Sequence, residues 1–251
     1  MTEKRDREAY ILDRLAEDGS LSVAALSRDL GVSEVTVRTN LRQLEARGLL
    51  SRTHGGAQAS SFQNVLERQR HQTGAKAAIA ARAARLVRDD DSIMVEAGTT
   101  TAALVRALTG TSGVQVVTNS TLAFAAARLN PGLRLTLVGG RFHPESESLV
   151  GYGATRSMAE FNVRLAFIGT DGFTIERGLT TQFADGAEVI RAMAARAEET
   201  WVLADSSKYG RAGFVNVLPL SAVTGVITDA GIGEASLEAL RETGLQVIVA
   251  D

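Results

Sequence analysis

Hydroxyls, glycines, carboxylates and one lysine follow a series of short apolar runs: Glu96-Ala97-Gly98-Thr99-Thr100-Thr101, Thr118-Asn119-Ser120-Thr121, Gly139-Gly140, Gly169-Thr170-Asp171-Gly172, Asp205-Ser206-Ser207-Lys208 and Thr228-Asp229. Gly98 lets backbone approach a ligand closely. Thr99, Thr100 and Thr101 bring three hydroxyls and free N–H groups to a helix start, which is a ready anion site. Singly, Thr99 or Ser120 reads as a helix cap, Gly139-Gly140 as a turn, Asp171 as a turn former, and Asp205 with Lys208 as a surface pair. Their recurrence suits a phosphorylated, hydroxyl-rich small molecule better. Its phosphate would take Gly98–Thr101 and Lys208, and the carboxylates with Asn119 would take its hydroxyls.

A second constellation lies in Ser33–Arg47, S-E-V-T-V-R-T-N-L-R-Q-L-E-A-R. Ser33 can accept a backbone N–H at a helix start, and Glu34 suits the positive end of the dipole. Val37, Leu41 and Leu44 share one face. The opposite face carries Val35, Thr39, Arg42 and Gln43, with Thr36 and Arg38 on its flanks, and Thr39-Asn40 is read as groove-facing. A helix pinned by aliphatics and presenting Thr, Arg and Gln outward fits a DNA major groove. An ordinary amphipathic surface helix would show much the same pattern.

The surrounding elements favour DNA. Arg5–Asp18 reads as a first helix burying Ile11, Leu12, Leu15 and Ala16, ended by Asp18-Gly19. Ser22 caps a short second helix with Val23, Leu26 and Leu30, and Gly31 permits the tight turn of a helix-turn-helix. Gly48 stops the third helix, Leu49–Thr53 reads as a strand, and Gly55-Gly56 turns beyond it. Arg52 and His54 would then lie on a wing over phosphates.

The small polar run Ala57–Gln63 has no periodicity and reads as linker. The expected organisation is residues 1–57 as a winged helix-turn-helix, 58–74 as a connecting segment and 75–251 as an α/β domain. In the last of these, Lys76–Arg88 reads as an alanine-rich helix. Strands are expected at Ser92–Glu96, Val114–Thr118, Leu133–Val138, Leu165–Gly169, Trp201–Ala204, Val223–Thr228 and Gln246–Ala250. Helices are expected at Thr100–Leu108, Thr121–Leu129, Ala154–Phe161, Ala187–Glu198 and Glu234–Thr243. Apolar strands alternating with helices mean a mostly parallel sheet covered on both faces. The ligand crevice of such a sheet lies outside the carboxyl ends of its strands, where the polar groups gather.

With 251 residues, 45% hydrophobic and 22% charged, the chain can bury two ordinary cores. It has no cysteine and only three histidines, widely separated, which argues against a thiolate or zinc site; no metal or cofactor is expected. Met1 leads into charged residues, and no apolar run reaches about 18 residues, so a cytoplasmic protein without a membrane partner is expected. Net charge is −2, and residues 1–57 hold nine Lys/Arg against nine Asp/Glu. DNA affinity must therefore come from arrangement and from several copies, so a homo-oligomer is expected.

In these motifs the chain resembles the DeoR-type transcriptional regulators of sugar metabolism over nearly its whole length. The matching runs are Val32–Arg38, Leu41, Leu44-Glu45, Gly48-Leu49 and His54–Ala57, followed by Ala97–Thr101, Thr118–Ser120, Gly139-Gly140, Phe167–Gly172, Gly178–Thr181, Glu188-Val189 and Ala204–Gly210. Its second half is closest in texture to members that repress glucitol or galactitol operons. The resemblance implies a winged helix-turn-helix joined to a sensor domain similar to ribose-5-phosphate isomerase. It also implies a repressor of double-stranded operator DNA, released by a phosphorylated sugar or polyol. Ser33, Val35, Thr36, Arg38, Thr39, Arg42, Gln43, Arg52 and His54 would meet DNA. Glu96, Gly98, Thr99, Thr100, Thr101, Asn119, Ser120, Gly139, Gly140, Asp171, Gly172, Glu188, Asp205 and Lys208 would meet the effector. Two departures stand out: Thr39-Asn40 replaces the family's usual Arg-Asp, and Glu96 replaces its usual Asp.

A different class remains open on the same residues. Asp171, Glu188, Asp205 and Lys208 could serve a sugar-phosphate isomerase as acid–base groups. Such an enzyme would have no use for the N-terminal helices, and no carboxylate pair is fixed at catalytic spacing by the sequence.

Overall fold

The first helix, α1 (Thr2–Asp18), buries Ile11 and Leu15. Ser22 caps α2 (Val23–Leu30) by accepting from Ala25 N at 3.1 Å. Gly31 ends α2 in the left-handed region (φ 62°), donating its N–H to the carbonyls at that helix's C-terminus, as only glycine does without strain. Ser33 then opens α3 (Glu34–Ala46) by accepting from Thr36 N at 3.2 Å. Val37, Leu41 and Leu44 of α3 meet Ile11, Leu15, Val23 and Leu26 in one apolar cluster. Strands β1 (Ser20–Ser22), β2 (Leu50–Thr53) and β3 (Gly56–Ala59) form an antiparallel sheet in the order β1-β3-β2. The sequence showed neither β1 nor β3, and β3 takes Ala57, Gln58 and Ala59 from the stretch read as linker. Gly56 is a strand residue and not part of the turn. A Cβ there would lie 1.9 Å from the Leu21 carbonyl oxygen, so β1 can approach β3 only at a glycine.

The structure, a computed structural model, describes residues 2–18, 20–46, 49–53, 55–59, 68–69 and 71–251. They divide between two compact units, Met1–Arg68 and Gln69–Asp251. Gly19, Arg47, Gly48 and His54 lie outside the described residues, as does 60–63 of the expected linker.

In the second unit the seven apolar runs become one sheet of seven parallel strands. In chain order they are β4 (Ser92–Val95), β5 (Val114–Thr118), β6 (Leu133–Leu137), β9 (Val163–Ile168), β12 (Ala197–Leu203), β14 (Gly225–Asp229) and β15 (Gln246–Ala250). Across the sheet they run β15-β14-β12-β9-β4-β5-β6, so the chain works outward from β4 to β6, returns to β9 beside β4, and works outward the other way. The order of the strands reverses between β4 and β9, the point at which a sheet of this kind places its ligand crevice, outside the carboxyl ends.

Alternation along these strands supplies two apolar faces. Ile93, Val95, Leu165, Phe167, Trp201 and Leu203 lie in one cluster with residues of α4 (Thr73–Ala84), α5 (Thr99–Ala107) and α6 (Thr121–Ala127). On the other face, Met94 and Ala166 pack with Ala154 and Met158 of α7 (Tyr152–Met158) and Val189 and Met193 of α8 (Ala184–Ala194). Val202 and Val226 pack with Leu237 and Leu240 of α9 (Glu234–Glu242).

Two additions sit between the sheet's strands. One is a hairpin of β7 (Arg141–His143) and β8 (Ser148–Val150); the other is a small antiparallel sheet ordered β10-β11-β13, from β10 (Gly172–Thr174), β11 (Gly178–Thr181) and β13 (Val215–Leu218). Helix boundaries also move. The helix expected over Ala187–Glu198 ends at Ala194, because Ala197 and Glu199 pair with Val163 and Leu165 in β12. The helix expected at Lys76–Arg88 runs Thr73–Ala84, with Leu86 and Val87 packed in the turn beyond it.

Candidate functional site

On α3 the outer face is the one the spacing predicts. Val35, Arg38, Thr39, Arg42 and Gln43 are exposed, Thr36 is half-buried, and the apolar Val35 stands 73% exposed. The hydroxyl of Ser33 stays at the surface, shared between the Thr36 N–H and, at 2.9 Å, the Thr36 hydroxyl. Thr39 folds its hydroxyl back onto the Val35 carbonyl at 2.9 Å. Asn40 is corrected: it is 3% exposed and turned inward, not toward a groove. It lies only about 60° around the helix from Val37 at 100° per residue.

Charges alternate along this surface. Arg38 pairs with Glu34 one turn earlier at 3.3 Å, and Arg52 on the wing strand pairs with Glu45 at 2.6 Å. Arg42, between them, has no carboxylate partner among the described residues, so it is the cation most available to a base edge or phosphate. Gln43 beside it offers both a donor and an acceptor.

In the second unit, hydrogen bonds draw the ends of β4, β5 and β9 together. Glu96 is 9% exposed, and its Oε2 accepts the Gly169 N–H at 3.1 Å. The methylene that distinguishes it from aspartate is what carries the carboxylate across to β9. A Cβ on Gly169 would come within 3.2 Å of that oxygen, so the glycine makes room for it. Asn119 is buried and staples neighbouring segments, accepting from Ala97 N at 3.1 Å and donating to the Leu149 carbonyl at 3.2 Å. Ser120 caps α6 through the Ala123 N–H.

Gly98 precedes α5 in extended conformation with no side-chain cap on the helix. The amides of Thr99, Thr100 and Thr101 therefore have no helical carbonyl behind them. Thr101 is fully buried with its hydroxyl on the Gly98 carbonyl, while Thr99 is half-buried at the mouth. Asp171 holds the Thr181 hydroxyl and the Gln182 N–H, each at 2.9 Å.

The remaining expected residues divide by position. Gly139 is exposed and Gly140 takes φ 143° against β8, so the pair turns the chain into the hairpin. Gly172 is buried beneath the Arg211 carbonyl and serves packing. Asp205 is 4% exposed and caps its own turn through the Ser207 N–H and hydroxyl. Lys208 in that turn is half-buried, with no ion pair or hydrogen bond from its ammonium among the described residues. Glu188 is exposed on α8 and bonded to none of the cluster.

Sequence reasoning missed the β7–β8 hairpin as part of this site. Leu149 N donates to the Asn119 carbonyl at 2.8 Å, and Ser148 bridges to Ser120, which lays β8 along the carboxyl end of β5. The hydroxyls of Ser148 and Ser146 share a hydrogen bond at 2.7 Å, and that of Ser146 meets His143 Nδ1 at 2.9 Å. The His143 ring then stacks on Phe183, centroids 4.5 Å apart and 6° from parallel, while Arg141 pairs with Asp185. Phe183 immediately follows Gln182, which Asp171 holds. The hairpin thus connects the β5 side of the crevice to the β9 side. Two short alternations around Pro144-Glu145-Ser146-Glu147 were the available signal for it.

Among the described residues no cluster of His, Cys, Asp or Glu could hold a metal ion, and no helix is long and apolar enough to cross a membrane. Comparisons with known proteins agree with the two-unit layout. Residues 7–63 match the DeoR-like helix-turn-helix domain, and residues 71–230 match the DeoR C terminal sensor domain. The HTH-type transcriptional regulator GlpR of Haloferax volcanii is 33% identical over 248 residues, covering 97% of this chain and 96% of that protein. The lactose phosphotransferase system repressor of Lactococcus lactis is 34% identical over 243 residues, 94% of each chain. Among solved structures, ribose 5-phosphate isomerase from Plasmodium falciparum aligns over 53% of this chain and 52% of its own, with a TM-score of 0.38 and 15% identity.

Proposed function

The chain belongs to the DeoR family of DNA-binding transcriptional regulators, and from that premise we propose that it represses a sugar or polyol catabolic operon and leaves its operator when a phosphorylated sugar or polyol fills the crevice. The observation that carries the proposal is the pairing of two surfaces in one chain. A helix exposes Val35, Thr39, Arg42 and Gln43 outward, and a switch-point crevice ends in the uncapped amides of α5. Relatives named as a lactose phosphotransferase system repressor and as an HTH-type transcriptional regulator support the operon type.

Within the crevice, the α5 N-terminus and Lys208 are assigned to the phosphate, and Asp171 and Glu96 to the hydroxyl-bearing end. Ligand can release DNA only by favouring the non-binding arrangement; a hundredfold preference supplies about 2.7 kcal/mol of coupling. A homo-oligomer on a repeated operator completes the proposal.

The test is a thermal-shift screen of sugar and polyol phosphates against the full chain, since a specific ligand raises stability by mass action. The hits are then added to the protein bound to a duplex that it selects from a random pool. A phosphorylated hit is expected to raise Tm and to release the duplex, while the unphosphorylated parent sugar does neither. Lys208→Ala should still bind the duplex but ignore the hit at concentrations that release the wild type. A full response by that variant would remove Lys208 from the phosphate site.

A further inference from the structure

Glu45 stands where a DNA-binding surface would ordinarily avoid a negative charge. It follows Arg42 by three residues and Arg38 by seven, which places it on the same flank of α3. Both oxygens of its carboxylate are committed to one residue: Oε2 accepts from Arg52 Nε at 2.6 Å and Oε1 from the Arg52 backbone N–H at 3.0 Å. The arginine in turn holds the Glu45 carboxyl below the usual carboxylate range. One side chain near the end of the reading helix therefore fixes both the backbone of β2 and the inner edge of a guanidinium.

The outer edge is left open. A guanidinium has five N–H groups, and only the one on Nε is used here. Nη1 and Nη2 have no partner among the described residues, and the Arg52 side chain is 39% exposed. An arginine anchored at Nε presents its remaining fork in a defined direction, the geometry that grips a phosphate.

We infer that Glu45 is a positioning residue for DNA contact, aiming the Nη edge of Arg52 at the DNA backbone and setting the wing against the reading helix. The inference rests on the regulator reading above. It makes a prediction opposite in sign to simple charge counting. Removing a carboxylate near DNA should tighten binding if that carboxylate only repels phosphates. If it positions Arg52, removal should weaken binding to the proper site.

The experiment uses the full chain, the duplex that the wild type selects from a random pool, and an unrelated duplex of equal length, each across a salt series. In Glu45→Gln the amide oxygen can still accept the Arg52 N–H, but the charge that holds the guanidinium is gone. Affinity for the selected duplex is expected to fall roughly tenfold, the scale of one charge-assisted hydrogen bond. Affinity for the unrelated duplex should stay level or rise. The salt slope on the selected duplex should fall by about one phosphate's worth.

Arg52→Lys keeps the charge but loses the fork, and should show the same loss. In an Arg52→Ala background, Glu45→Gln should add nothing. The inference is overturned if Glu45→Gln binds the selected duplex as well as wild type or better, or if its loss adds to that of Arg52→Ala. A wild-type chain that enriches no duplex would instead sink the DNA-binding reading itself, a separate outcome.

Discussion

Among the cations of α3, the difference between Arg38 and Arg42 is one of partners. Arg38 carries Glu34 one turn away, with both side chains about half exposed, 50% and 52%. Such a pair is worth little to stability, but it offsets the charge that DNA would meet. Arg42 has no such partner among the described residues. We therefore expect Arg42→Ala to cost about 1–3 kcal/mol on the selected duplex and to relax base preference at one position. Arg38→Ala should weaken all duplexes alike and by less. Footprinting and competition binding separate the two, and an unchanged footprint for Arg42→Ala would remove it from the base-reading set. The exposed face of α3 was legible because three aliphatics at four- and three-residue spacing fix the helix's rotation. Asn40 was misread because it was grouped with its chain neighbour Thr39, when successive residues on a helix lie 100° apart. Nothing in the sequence told that Asn119 would spend its amide on Ala97 and Leu149, because both partners are distant along the chain.

At the scale of elements, the sheet separates its duties between its two edges. The carboxyl edge gathers Glu96, Asn119, Ser120 and Asp171, while the opposite edge carries an ion pair that locks β9 to the turn before β4. Arg164 gives its Nε to Asp91 at 2.7 Å, a second N–H to the other Asp91 oxygen, and one to the Leu86 carbonyl at 2.7 Å. Bonding from Arg164 holds the Asp91 carboxyl below its ordinary range, and Arg164 is shifted up in return. A depressed carboxylate pKa adds stability above its unfolded value of about 3.9 and loses it as pH falls through the folded value. Asp91→Asn should therefore lower Tm at pH 7, by roughly 3 kcal/mol in unfolding free energy if Arg164 is left uncompensated. The gap to wild type should begin to narrow below about pH 4 and close as pH falls through the lowered folded value; a gap that stays constant through that acid range would contradict this assignment. The sequence around Asp91 carries no sign of this bond, because its partner lies 73 residues away. The seven sheet strands, of four to seven residues, were legible as apolar runs, whereas β1, β7 and β10 are three-residue strands. Three residues give alternation little room to register, so the hairpin over the crevice left only a faint mark in the sequence.

For the whole molecule, the decisive quantity is charge. The N-terminal stretch of residues 1–57 carries equal numbers of basic and acidic residues, nine of each, and the full chain is at −2. Within it Arg38 and Arg52 already have acidic partners. Long-range attraction to a polyanion is correspondingly weak, and little counterion release is expected to drive binding by a single module. Tight repression then needs several reading helices held together, because a second module binds at the effective concentration set by the first and can multiply affinity by about 10²–10⁴. We expect the chain to sediment as a dimer or larger and the selected duplex to contain two related half-sites. Deleting one half-site should lower affinity by about a hundredfold or more. Effector should then act on this multiplied affinity. Ligand that loosens one module's grip by a modest factor loosens the assembly's by the product over modules, so release should be steeper in ligand on the two-site duplex than on the single site. Sedimentation of the bound protein and titration of both duplexes measure this directly. A monomer that holds a single half-site as tightly as the intact operator would overturn it.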